Sequence, residues 1–253
     1  MEAVKLPPAY RLVELDAVDS TNEEAKRLAR AGAEDGTLVW AKTQTAGRGR
    51  AGRAWDSPRG NLYFSLVLRP ECASSEAAQL GFVAAVGLGD ALSAILPPMV
   101  EYRFKWPNDV LMNDRKLAGI LLEAEGAAKP RLDWLVLGIG VNVRSYPERV
   151  EFPATCLEYE TGVKFATTDI LEAFGRHFLS WVNRWLEDGF APVRAAWRSK
   201  AHSLGERIRV RLPDRTLSGR FLDVDADGAL RLDAGKKAGG VRRITAGDVF
   251  FGE

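Results

Sequence analysis

The stretch Gly47-Arg48-Gly49-Arg50-Ala51-Gly52-Arg53-Ala54-Trp55 alternates glycine with arginine and closes on a tryptophan. Arginine brings a permanent, planar, multi-donor charge suited to carboxylate and phosphate. Glycine lets the backbone take positive φ and come close to a ligand. Tryptophan offers a flat face on which a ring can stack. A loop of this composition can wrap an anion that also carries a ring. The charge is local: between positions 42 and 59, Lys42, Arg48, Arg50, Arg53 and Arg59 stand against the single acid Asp56. A Gly/Arg run by itself is more often a solvated loop, so a functional reading has to come from what surrounds it.

Other stretches supply that context. Asp19-Ser20-Thr21-Asn22-Glu23 opens a helix, and Ser20 with Glu23 fits a capping box. The free N–H groups of a helix start can also meet an anion or a carbonyl. Gln44 ends a strand that delivers the chain into the Gly/Arg loop. Lys105-Trp106-Pro107-Asn108-Asp109 sets polar pairs around a rigid proline, and Lys116 begins a strand after the turn residues Asn113-Asp114-Arg115. Gly138 and Gly140 lie in a strand that ends near Asn142, where glycine permits close backbone approach. His177 and His202 stand outside all of these stretches. Cys72 and Cys156 form no metal-like pair and read as reduced thiols.

The elements that must position these residues follow from periodicity. Strands are expected over 10–18, 37–43, 61–69, 102–106, 110–112, 116–125 and 135–143, and helices from Ser20 to Gly32 and over 76–96, 169–187 and 191–200. The helix over 169–187 is the clearest: Ile170, Phe174, Phe178, Trp181 and Trp185 recur at helical spacing and read as core. From Arg207 the texture changes to short strand-like runs between turns, the pattern of a small all-β barrel. Strands with a few long helices and no regular βαβ alternation give an α+β fold class. The expected division is a catalytic domain over 1–202 and a barrel over 203–253.

The chain has 253 residues, 46% apolar and 27% charged, with net charge +1. A dedicated nucleic-acid binder is usually more basic. No signal peptide or bilayer-length apolar run is visible, so a cytoplasmic protein is expected, with no membrane partner.

GRGRAGRAW, then KWPND, then KLAGI, preceded by Ser20-Thr21-Asn22, resembles the biotin–protein ligases across nearly the whole chain. The resemblance implies a mixed central sheet with flanking helices, like the class II synthetases, and a terminal SH3-like barrel. It implies activation of biotin by ATP to biotinyl-5′-adenylate, with Mg²⁺ on the phosphates, then transfer to a lysine of a biotin carboxyl carrier domain. By motif, Ser20, Thr21, Asn22 and Gln44 would meet the biotin head group. Gly47, Arg48, Gly49 and Arg50 would lie over its chain, carboxylate and the adjoining phosphate. Gly119 would allow close ligand approach. Arg53, Trp55, Asn108 and Asn142 would hold the nucleotide, and Lys116 would grip carboxylate and α-phosphate together. Lys116, Arg50 and Arg48 would neutralise the reacting anions, and Asp109 would orient or deprotonate the acceptor lysine, or simply cap its turn. No protein ligand for the metal is assigned.

Only residues 1–19 precede Ser20, so the resemblance is to the monofunctional ligases, with no DNA partner expected. Pairing of two subunits through edge strands stays open. Ala51 replaces a basic residue common in the family, Cys156 replaces a serine, and 235–240 is a lengthened loop. The Gly/Arg loop is expected to act as a lid. The alternatives are a lipoate or octanoate ligase of the same superfold and a nucleic-acid-binding module.

Overall fold

The computed structural model describes residues 4–98, 100–124, 132–236 and 239–251, with the backbone alone at Ser74 and Ser75. Glu125, expected at a strand end, and Lys237 and Ala238, in the lengthened loop, lie outside the described residues.

The chain runs β1 (Arg11–Leu15), α1 (Thr21–Arg30), β2 (Thr37–Ala41), β3 (Leu62–Leu68), α2 (Ser74–Ala77), α3 (Gln79–Ile95), β4 (Tyr102–Lys105), β5 (Asp109–Met112), β6 (Arg115–Ala124), β7 (Leu135–Val141), α4 (Leu157–Thr161), α5 (Thr167–Asp188) and α6 (Phe190–Ser199). Five further strands follow: β8 (Arg207–Arg211), β9 (Thr216–Val224), β10 (Leu230–Asp233), β11 (Val241–Ile244) and β12 (Asp248–Phe251). The first seven strands form one sheet in the order β1-β2-β3-β7-β6-β5-β4, and the last five another in the order β11-β10-β9-β8-β12. Only β1 and β2 pair in parallel, so the large sheet is mixed.

Side chains alternate across a strand, and the two faces of the large sheet meet different partners. On β7, Leu135, Leu137, Ile139 and Val141 join the main core, which also takes in α3, α5 and α6. Val136 faces the other way, into a smaller cluster with Ala25 and Ala29 of α1. The register continues this second face as Gly138 and Gly140 on β7, Leu121 and Gly119 opposite them on β6, and Ser65 and Tyr63 on β3. Helix α1 covers one half of that face. The other half, beyond the helix's N-terminus, is floored by glycines.

The expected helix over 76–96 is two helices meeting at Ala78, where Gly81 N donates to Ala78 O, three residues back rather than four. α3 is buried nearly all round because α5 and α6 cover the side that the sheet does not. On α5, Phe174 stacks on Phe178 and packs against Phe64 of β3. Trp181 is only partly buried, and its indole donates to Asp90.

The small sheet is not a separate appendage. Ile208, Val210, Phe221, Leu230 and Val249 belong to the same core cluster as the large sheet. Trp106 Nε1 donates to Gly228 O at 3.0 Å. At the β4 edge, Phe104 N donates to Lys200 O and His202 N to Phe104 O, so the linker covers that edge. β1 is the other edge of the large sheet.

Candidate active site

An open cleft of about 240 Å³ sits on the glycine floor. Its walls are the N-terminus of α1, the Gly/Arg loop, the β4–β5 turn, the segment 147–154 and the start of β12. The cleft gathers Ser20, Thr21, Asn22, Gln44, Arg48, Gly49, Arg50, Arg53, Trp55, Asn108, Asp109, Lys116, Gly119 and Asn142. Gly47 stands behind this lining. A Cβ there would lie 2.4 Å from Trp55 O and 2.5 Å from Ser57 Oγ, so glycine is required for the loop to fold back on its own base.

The start of α1 departs from the capping-box expectation. Ser20 makes no side-chain cap, and Glu23 turns instead to Lys26 and Arg48. The cap comes from another element: Gln44 Oε1 accepts from Thr21 N at 2.8 Å and from Thr21 Oγ1 at 3.1 Å. Gln44 Nε2 in turn donates to Ser57 Oγ at 2.8 Å. Ser65, fully buried on β3, places its hydroxyl 2.8 Å from Thr21 Oγ1 and 2.5 Å from Asn22 Oδ1. Asn22 Nδ2 donates to Glu123 at 2.8 Å. This polar chain is fitted onto Gly138, where a Cβ would lie 1.9 Å from Asn22 Oδ1. Networks of this kind are rigid when every member is satisfied.

The Gly/Arg loop closes on itself through an Arg48–Ala54 bridge and a hydrogen bond from Gly49 N to Arg53 O, around a single 3₁₀ turn at Arg50–Gly52. Each arginine is held. Arg48 contacts Glu23 and lies 3.4 Å from Glu123. Arg50 donates to Asn108 Oδ1 at 2.9 Å and to Gly247 O at 3.2 Å. Arg53 forks onto Asp248 at 2.9 and 3.0 Å. Burial pushes the Arg50 guanidinium below its ordinary value, against the pull of Asp248 and Asp109. Trp55 lays its ring on the floor: Cβ atoms at Gly119 and Gly140 would meet it at 2.9 and 2.5 Å. Its Nε1 is buried without a hydrogen-bond partner. The close neighbour of Gly119 is therefore the Trp55 ring.

At the deep end, Lys116 Nζ stands 2.6 Å from Asp109 Oδ1, an ion contact without hydrogen-bond alignment, and 5.3 Å from the centre of the Trp55 ring. Lys105 Nζ is 3.5 Å from Asp109 Oδ2 and 3.7 Å from the centre of the Phe152 ring. Burial alone would raise the Asp109 carboxyl, but Lys116, Lys105 and Arg50 hold it below its ordinary value. Burial lowers Lys105, which Asp109 partly offsets. Asn108 is occupied by Arg50 and by Ile120 O. Asn142 donates to Thr155 O at 3.0 Å.

Sequence reasoning missed Ser65, Glu123, Asp248 and the part played by Lys105. A serine inside the apolar run of β3 was a visible signal. Glu123 and Asp248 carried none.

The folded chain thus joins a mixed sheet, a glycine-floored cleft and a convergent set of Arg and Lys side chains, an arrangement suited to a ligase that couples two anions. Residues 6–199 match the biotin/lipoate A/B protein ligase family, and residues 203–252 match the biotin protein ligase C-terminal domain. The chain belongs to this family and is a ligase. It is 42% identical to the biotin–[acetyl-CoA-carboxylase] ligase of Paracoccus denitrificans, over 94% of this chain and 99% of that protein. It is 33% identical to the bifunctional ligase/repressor BirA of Bacillus subtilis, over 95% of this chain and 74% of that one. Among solved structures it resembles the Aquifex aeolicus biotin protein ligase in complex with biotin and ATP. That match has TM-score 0.80 and 31% identity, over 94% of this chain and 97% of that one.

Proposed function

We propose that the protein activates biotin with ATP to biotinyl-5′-AMP, releasing pyrophosphate, and transfers the biotinyl group to a lysine of a biotin carboxyl carrier domain. The observation that carries this reading is the convergence of Lys116, Arg48, Arg50 and Arg53 in the cleft that also holds the Thr21–Gln44 network. In the first step a biotin carboxylate oxygen attacks the α-phosphorus and pyrophosphate leaves. Both reactants are anions, so fixed cations lower the barrier by neutralising repulsion and the charge that grows on phosphorus. The attacking carboxylate is already ionised, so this step needs no general base. Lys116 grips both reactants beside the nucleotide, Arg50 covers the new phosphoanhydride, and the polar chain around Thr21 and Asn22 receives the biotin head group. Trp55 supplies the flat face for adenine.

In the second step a neutral lysine amine attacks the acyl carbon and AMP leaves. Asp109, ionised and held below its ordinary value, is a weak base. Its part is to orient Lys116 and the incoming amine. Among the described residues no three His, Cys, Asp or Glu side chains cluster as a metal site. Mg²⁺ would enter on the ATP phosphates as part of the substrate.

Incubation with ATP, Mg²⁺ and labelled biotin should release pyrophosphate, and adding a carrier domain should label that domain. Lys116→Ala should cut adenylate formation by roughly a hundredfold or more, the scale of losing one preorganised electrostatic contact. Absence of pyrophosphate release from the parent would overturn the reading. Lipoate outcompeting biotin in pyrophosphate exchange would redirect it to the lipoate branch of the family.

A further inference from the structure

The tip of the Gly/Arg loop packs no apolar side chain against the body of the protein. Ala51, Gly52, Arg53 and Ala54 are all exposed. Beyond the Trp55 ring at its base, what fixes its position is polar: Glu23 and Glu123 hold Arg48, Asn108 holds Arg50, and the far end of the chain supplies the rest. Arg53 forks onto Asp248 at 2.9 and 3.0 Å, and Arg50 donates to Gly247 O at 3.2 Å. Asp248 is itself held from behind by Arg211, 3.3 Å away, which also forks onto Glu151 at the cleft mouth. Burial works against the Asp248 carboxylate, but Arg53, Arg211 and Arg50 hold its pKa below the ordinary value, so it is ionised near neutrality. The loop is internally tied through Gly49 N to Arg53 O at 2.7 Å. Moving Arg53 therefore moves the whole tip, Arg50 included.

We propose that Asp248 is a positioning residue for the Gly/Arg loop: through it the C-terminal sheet clamps the loop over the cleft and sets how long an activated acyl-adenylate is retained there. This rests on the proposed function for its consequence, though not for its geometry. Asp248 need not touch the reacting atoms; it acts through Arg53. A two-pronged, charge-assisted contact is stronger than a single exposed ion pair. The fork is half-exposed on the arginine side, which limits its effect. Its loss should raise the open fraction of the loop by roughly five- to tenfold.

The test reads the loop directly. The tip carries Arg48, Arg50 and Arg53, so trypsin reports its release from the body. Asp248→Asn should be nicked in the loop roughly five- to tenfold faster than the parent. Asp248→Glu, which keeps the charge, should restore most of the protection. Arg243→Gln, which alters only a pair with Asp225 and Asp227, should leave it unchanged. High salt should speed loop nicking of the parent while leaving Asp248→Asn little affected, because screening acts on the fork. This arm needs only the parent if the Asn variant does not fold. In single-turnover experiments Asp248→Asn should lose labelled adenylate from the protein faster by a similar factor.

Equal nicking of parent and variant, or salt-independent nicking of the parent, overturns the clamp. Faster nicking with unaltered adenylate retention overturns the role in retention. If the parent forms no adenylate, the proposed function fails and the trypsin result still decides the clamp.

Discussion

Replacing Asp109 by Asn removes one charge from a site where two lysines face it. Lys105 and Asp109 keep only 7% and 10% of their side-chain surface exposed, whereas Lys116 keeps 26%. Lys116 can turn toward solvent when the carboxylate is gone. Lys105 cannot, because its Nζ is packed on Phe152 with Phe250 and Phe251 beyond. Breaking a buried pair by removing one partner costs about 3 kcal/mol at the lower end of the usual range, the end fitting a site where one cation escapes. For a chain of this length that is a fall in Tm of roughly 6–12 °C at neutral pH.

The pH dependence has a definite sign. The folded-state pKa of Asp109 is depressed, so its contribution in the parent is present above the unfolded value of about 3.9 and lost as pH falls through the folded one. The folded-state pKa of Lys105 is also depressed, and further so without Asp109. Its burial therefore costs most below its folded pKa, and the cost fades as pH rises toward the ordinary value of about 10.4. The gap in Tm between parent and Asp109→Asn should be widest near neutrality and narrow at both ends, as read by thermal denaturation from pH 3 to 10. Adding Lys105→Met to the Asn variant should recover most of the loss. A gap below about 2 °C at pH 7, a gap unchanged at pH 10, or no recovery in the double variant would refute the reasoning.

Gly138→Ala cannot coexist with the present Asn22 side chain, whose Oδ1 would lie 1.9 Å from the new Cβ. It should break the chain from Glu123 through Asn22 to Ser65 and weaken biotin binding by about tenfold or more, the worth of one or two such bonds, as measured by calorimetric titration. Parental affinity would show that Asn22 plays no part in the biotin site. Trp106→Phe removes the buried bond to Gly228 O and should cost about 1–2 kcal/mol. An unchanged Tm would mean that this contact between the two sheets carries no stability.

How much of this was legible depended on distance along the chain. The cleft residues were readable because they come in short runs whose members share a turn, as in Lys105 to Asp109. The residues that hold them in place were not: Glu123 is 101 positions from Asn22, and Asp248 is 195 positions from Arg53. No local pattern marks such a pair. The capping box does not form because Ser20 N donates to Asp19 Oδ1 and Glu23 finds cations in Lys26 and Arg48. The strand and helix periodicities were sound because they record burial directly. The join at Ala78 leaves no mark in the sequence because the apolar stripe continues across it. Gly119, expected to allow close ligand approach, and Gly140, expected to permit close backbone approach, both stand under the Trp55 ring.

The hydrophobic core runs continuously from the large sheet into the small one. Phe82 of α3 packs on Phe190 and Trp197, and reaches Gly228 in the turn before β10. Trp197 stacks on Phe104 at the edge of the large sheet. A chain cut at the linker would take Gly228 away from Phe82 and Trp106, and Lys105 would lose Phe250 and Phe251 as neighbours. The two sheets are therefore thermodynamically one object: heat should find a single cooperative transition, with the small sheet melting together with the large one on which the cleft is built.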